Sequence, residues 1–157
     1  MSSSAPGFRI FFSAVIALVL TVLPMPYYMD ILRPQLLVLT VLYWSIAAPW
    51  AGGIGLGWFA GLFLDVFQGP VLGEHALVLA AAAYAFVSEH QRIRSKPGFQ
   101  QALIVMFAMA AYEALLFTID EYTGHPVTKL VRWVHVVSDG IIWIPATAIL
   151  GYRERRS

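Results

Sequence analysis

Seven ionisable side chains sit in or beside the apolar segments of this chain, and they are its candidates for chemistry: Asp65, Glu74, His75, Glu113, Arg132, His135 and Asp139. Carboxylates and imidazoles can exchange protons with a substrate, and inside a bilayer such groups line ion paths or pair with one another. Arg132, His135 and Asp139 are spaced so that one helix face would carry all three. Asp65 ends a different pattern. In the run GIGLGWFAGLFLD, Gly53, Gly57, Gly61 and Asp65 follow each other at intervals of four. In a helix that interval stacks residues on one side, so three notches of bare backbone lead up to one carboxylate. Small residues at that spacing let helices approach closely in lipid, and an acid there is costly unless it faces protein or water. The ladder therefore predicts a membrane helix packed against a second helix, with one polar group at the contact. The second helix is either a neighbour in the chain, such as the Ala80–Ala83 stretch, or a separate protein. Gly69 and Gly73, with Gly52 and Gly55, supply tight turns or flexibility around it.

No reaction-specific motif accompanies these groups. The chain has no cysteine, which removes disulfides, thiolate metal sites and a thiol nucleophile. The glycine run lacks the Gly-Lys-Ser/Thr ending of a phosphate loop. A nucleophile elbow, a zinc-binding helix motif and a sugar-nucleotide signature are all missing. No catalytic residue, metal or cofactor is therefore assigned. A net charge of +1 gives no basic field for nucleic acid.

The elements that must position these residues are apolar. Of 157 residues, 59% are hydrophobic and 12% charged, against about 25% charged in soluble domains. The chain reads as an all-α integral membrane protein forming one polytopic domain, 1–157. Six apolar segments, at about 8–23, 36–48, 52–67, 76–87, 102–119 and 131–151, each come near the roughly 20 residues that cross a bilayer. Pro49, Trp50 and Ala51 alone separate the second from the third, so these two must form a tight hairpin. The first segment has no cleavage pattern and is expected to be a retained span. With six spans and a cytoplasmic N-terminus, Arg9, Arg92, Arg94, Lys96, Arg153, Arg155 and Arg156 lie inside. Only Arg33, Lys129 and Arg132 then lie outside, which favours both termini in the cytoplasm.

That topology gathers Asp65, Glu74, His75, Glu113, Arg132, His135 and Asp139 toward the extracytoplasmic side. Two readings stay open for them. They are structural pairs holding helices in register, or they line a polar, partly hydrated surface open to the outside. Tyr27, Tyr28, Tyr43, Trp44, Trp50 and Trp58 read as an interfacial aromatic belt, and Trp133 and Trp143 as belt or interior. Arg33-Pro34 is expected to start the second span, and Pro145 to kink the last. The basic 92–96 loop is expected to satisfy topology and to touch anionic lipid.

RPQLLVLTVLYWSIAAPW, the glycine ladder to Asp65, Gly69 and LGEHAL together resemble the bacterial rod shape-determining MreD family. The likeness rests on Arg33, Pro34, Tyr43, Trp44, Pro49, Gly57, Gly61, Asp65, Gly69 and Gly73 in that order, and is diffuse over the last three segments. It implies a non-enzymatic inner-membrane component of the cell-elongation machinery. That component would bind MreC, and through it MreB and the peptidoglycan synthases. The resemblance also implies a fold similar to the substrate-binding components of energy-coupling vitamin importers. A small-molecule binding or transport subunit with an outer polar pocket is the alternative function. An intramembrane enzyme is a third, and association of the chain into a homodimer stays open.

Overall fold

The computed structural model describes residues 6–30, 35–67, 72–124 and 129–155. Among these the chain is helical: α1 (Pro6–Val22), α2 (Tyr27–Asp30), α3 (Leu36–Ala47), α4 (Ile54–Phe67), α5 (Glu74–Ser88), α6 (His90–Arg94), α7 (Gly98–Thr123) and α8 (Lys129–Arg155). Each of the six apolar segments forms one long helix, while α2 and α6 are single turns between them. One helix, Gly98–Thr123, is by itself long and apolar enough to cross a membrane. The other apolar helical stretches among the described residues, Gly7–Val22, Leu36–Ala47, Ile54–Phe67, Glu74–Ser88 and Trp133–Ile149, are 10–17 residues long.

At the centre stands α3. Every residue from Leu37 to Ile46 is buried, as expected of a helix that is apolar on all sides. It packs against α1, α4, α5, α6 and α8. Its 12 residues span only about 18 Å, and protein rather than lipid surrounds it. The flanking helices divide their surfaces differently. They bury small and polar residues together with Leu79, Phe86, Met109 and Trp143, and leave Phe11, Phe59, Phe63, Phe107 and Ile141 exposed on the outside. Exposed aromatic and branched apolar side chains on this scale suit a lipid-facing surface.

Two hairpins flank α3, α4 with α5 and α7 with α8. The turn entering α4 follows from its sequence. Ala48 accepts hydrogen bonds from the N–H groups of Ala51 (3.1 Å) and Gly52 (2.7 Å). A Cβ on Gly52 would fall 2.7 Å from that of Trp44, so only glycine closes this corner. Helix α4 therefore begins at Ile54 rather than at residue 52. The basic stretch expected as a loop is partly helical, because Arg92 and Arg94 belong to α6. Buried Ile93 anchors that turn, and the Gln101 amide donates to the carbonyls of Ile93 (3.1 Å) and Lys96 (3.0 Å). Helix α8 runs through Pro145.

Candidate functional site

The glycine ladder faces α5. A Cβ on Gly53 would lie 3.3 Å from Val87 Cγ2, and one on Gly57 3.0 Å from the Leu79 carbonyl oxygen and 3.1 Å from Ala83 Cβ. On Gly61 it would collide with the α5 backbone, 2.5 Å from the Ala76 nitrogen and 2.6 Å from the His75 carbonyl carbon. Partners 87, 83 and 76 descend as the ladder ascends, so the helices are antiparallel. No side chain separates them where Gly61 sits. The ladder thus packs against α5 of the same chain.

Asp65 completes the contact. Its carboxylate is fully buried and sits on the first turn of α5. Oδ2 accepts from the N–H groups of Gly73 (2.9 Å) and Ala76 (3.3 Å). Oδ1 accepts from the His75 N–H (2.9 Å) and lies 2.8 Å from His75 Nδ1. Helix N-termini present unpaired donors and partial positive charge, and here the cap comes from the preceding helix. Gly73, with φ 97°, gives the chain the left-handed turn that points those donors back at Asp65.

A second carboxylate does the same for α3. Asp139 on α8 accepts the Gln35 backbone N–H through Oδ1 at 2.7 Å, just ahead of the first residue of α3. The Gln35 side-chain amide reaches Glu113 on α7. One residue therefore ties the start of α3 to both helices of the α7–α8 hairpin. The Tyr112 phenol lies within electrostatic range of Glu113, Asp65, Glu74 and Asp139. Four acids from α4, α5, α7 and α8 converge on one end of the bundle.

The expected site residues are placed as follows. Asp65, Glu74, Glu113 and Asp139 are buried, and His75 and His135 partly so. Arg33, Pro34 and Gly69 lie outside the described residues, as does the side chain of Arg132. Pro49 occupies the α3–α4 turn, its carbonyl oxygen 3.1 Å from where a Gly53 Cβ would be. Tyr43 and Trp44 depart from the aromatic belt. They are only 9% and 4% exposed, because α3 has no outward face. The Trp44 Nε1–H donates to Ser13 Oγ at 2.8 Å, fastening α1 to α3. Tyr27, Tyr28, Trp50, Trp58 and Trp133 are exposed, while Trp143 is buried.

Sequence reasoning passed over Gln35, Tyr112 and Gly140. Gln35 is a lone polar residue just before an apolar run, a position where helix-start donors need partners; that was the available signal. Gly140 adjoins Asp139, and a Cβ there would strike the Met106 side chain, so it sets the close approach of α7 and α8. Tyr112 carried no signal, since a tyrosine in an apolar run is ordinarily packing.

The geometry favours holding helices together over reaction chemistry. Both Asp65 oxygens and one Asp139 oxygen are taken up at helix starts, and among the described residues no group of three or more His, Asp or Glu can hold a metal ion. Residues 2–151 match the family model described as rod shape-determining protein MreD. The Rod shape-determining protein MreD of Haemophilus influenzae is 32% identical over 145 residues, covering 90% of this chain and 87% of that protein. No solved structure matches. A match that runs almost end to end, through the helices that carry the ladder and both caps, means that this chain belongs to the MreD family of non-enzymatic membrane proteins that determine rod shape.

Proposed function

We propose that this chain is a helical scaffold of the cell-elongation machinery in the bacterial inner membrane. In this reading a single domain of six membrane-spanning helices, with both termini cytoplasmic, binds MreC directly. MreB and the peptidoglycan synthases are reached through MreC or within the same complex. The fold would be similar to the substrate-binding components of vitamin importers. The observation that carries the proposal is how the polar groups are used: Asp65, Asp139 and Gln35 are committed to internal helix starts, and the apolar residues face outward. A protein with so little mass outside its helices offers a partner helix faces and short turns. In lipid, close packing supplies that association in place of the hydrophobic effect.

Because α5 packs against the ladder, this reading puts the docking face elsewhere. What remains is the outward surface of the helices and the turn around Leu72 and Gly73. Affinity purification of the tagged chain from native membranes, with unbiased identification of bound proteins, tests the proposal. MreC is the expected major partner, and its absence under mild detergent would sink the scaffold reading. The alternative, a small-molecule binding or transport subunit, draws on the buried polar end of the bundle. Recovery of an energy-coupling ATPase in place of MreC would favour it.

A further inference from the structure

We propose that α6 and the residues just after it bind the headgroup of an anionic phospholipid through Arg92, Arg94 and Lys96. The sequence sets these cations in one basic stretch, and the fold pins that stretch as a single turn. Ile93 is buried between them, and α6 packs against α3, α5 and α7. The Ser95 hydroxyl donates to the Arg92 carbonyl (2.8 Å), and the Lys96 N–H donates to that of Ile93 (3.1 Å). Gln101, on the first turn of α7, donates to the Ile93 and Lys96 carbonyls. All three charged side chains stay exposed around this anchor. Glu89 lies 3.3 Å from Arg92, an exposed pair that holds the guanidinium weakly. No further acid occurs from residue 90 to residue 112.

The flanks of the turn set its depth. Tyr84 is exposed on the last turns of α5, and Phe99 on the first of α7. A Cβ on Gly53 would lie 3.3 Å from Val87 Cγ2, which brings the α3–α4 turn, with exposed Trp50, to the same end. Trp and Tyr collect where a membrane meets water, so the cations stand at the level of lipid phosphates. Arginine pairs with phosphate through two N–H groups, and lysine adds a point charge. The backbone is pinned before a lipid arrives, which keeps the ordering cost small. Helix α5, with 15 residues, is shorter than a hydrocarbon core, and flanking cations that reach the headgroups hold such a helix in place. The inference rests on the reading that α5 and α7 cross the membrane, and on no partner protein.

The test uses the full chain purified in mild detergent, with phosphatidylglycerol or phosphatidylcholine added. Phosphatidylglycerol is expected to raise Tm by about 2–4 °C more than phosphatidylcholine, and native mass spectrometry to show it retained. Arg94→Gln with Lys96→Gln should lower that retention about fivefold for each charge removed, leaving the lipid-free Tm unchanged. Lys129→Gln, which removes a cation from the start of α8, should keep the preference. Equal shifts with the two lipids, or a preference that survives the double variant, overturn the proposal. So does an equal shift with inorganic phosphate or with polyglutamate, which would make the occupant a free anion or an acidic protein. Membrane crossing is judged separately, by whether the chain stays in membranes washed with alkaline carbonate. A chain that stays there but shows no headgroup preference defeats the lipid site alone, and one that washes out defeats the crossing.

Discussion

Asp65 and His75 are joined twice, by the His75 backbone N–H at 2.9 Å and by its imidazole Nδ1 at 2.8 Å, both on the same carboxylate oxygen. The last turn of α4 is thereby fixed to the first turn of α5 across the connection between them. The glycine face brings the two backbones together, and the carboxylate closes the end of the seam. Ladder and acid form one device, in which close approach of the helices delivers the cap to the donors that need it.

Asp65→Ala leaves the donors of Gly73, His75 and buried Ala76 without their acceptor. A loss of about 2–3 kcal/mol is expected from the cap and the unmet donors together. Asp65→Asn keeps one acceptor oxygen but sets a new donor among donors, for a loss of about 1–2 kcal/mol. Thermal unfolding of the purified variants checks the order. In cells, loss of rod shape should follow the reduced protein level. A shape defect in Asp65→Asn at normal protein level and stability would restore a chemical role for the acid.

The glycines should differ by what a methyl group meets. Gly61→Ala drives a Cβ into the α5 backbone and is expected to cost about 3 kcal/mol or more, at the upper end of overpacking. Gly57→Ala meets atoms at 3.0–3.3 Å and should cost about 1–2 kcal/mol. Gly55→Ala, with nothing within 4 Å, should be neutral or gain up to about 1 kcal/mol of helix propensity. Unfolding midpoints measured on the three proteins decide the ranking. Gly61→Leu is therefore a fold-breaking change, and loss of partner binding in it would say nothing about a docking surface.

The ladder was legible in the sequence because its evidence is local: a spacing of four makes a face whatever the tertiary structure. What lies opposite is non-local. The sequence favoured a neighbour in the chain, such as the Ala80–Ala83 stretch, over a separate protein, and only the structure sets Ala76 against Gly61. Tyr43 and Trp44 show the same limit. Aromatic residues near the middle of an apolar segment suit an interface or a core, and only the central place of α3 makes them core. Gln35 was missed because its role depends on two acids 78 and 104 residues away in sequence.

Gln35 carries the next prediction. Gln35→Ala removes the amide that reaches Glu113 but keeps the backbone N–H on Asp139. A loss of about 1.5–3 kcal/mol is expected, the range for a hydrogen bond to a charged group. Gln35→Glu is nearly the same size yet sets a third carboxylate against Glu113 and Asp139, where burial strengthens repulsion. It should be the worse of the two, although its side chain is the closer mimic. Equal midpoints for the two variants would mean that the amide does not bridge the helices.

The proposed topology can be read directly, because the chain contains no cysteine and a single introduced thiol has no background. Leu72 and Tyr122 are 71% and 89% exposed, near the same end of the bundle as the buried acids, while Lys96 is exposed beyond α6. With six spans, Leu72→Cys and Tyr122→Cys face outward. A membrane-impermeant maleimide should then label both in intact spheroplasts. Lys96→Cys should label only after lysis, as expected of a residue in the basic, cytoplasmic set. The 72–96 pair is the sharper comparison, since only α5 and the single turn of α6 separate its members. At 15 residues that helix is about 22 Å long, short of the roughly 30 Å hydrocarbon core. It spans only if its ends are continued by α6 and by the capped turn at Gly73. Labelling of Leu72→Cys and Lys96→Cys from one side would mean that α5 does not cross, reducing the count to five and moving the C-terminus outside.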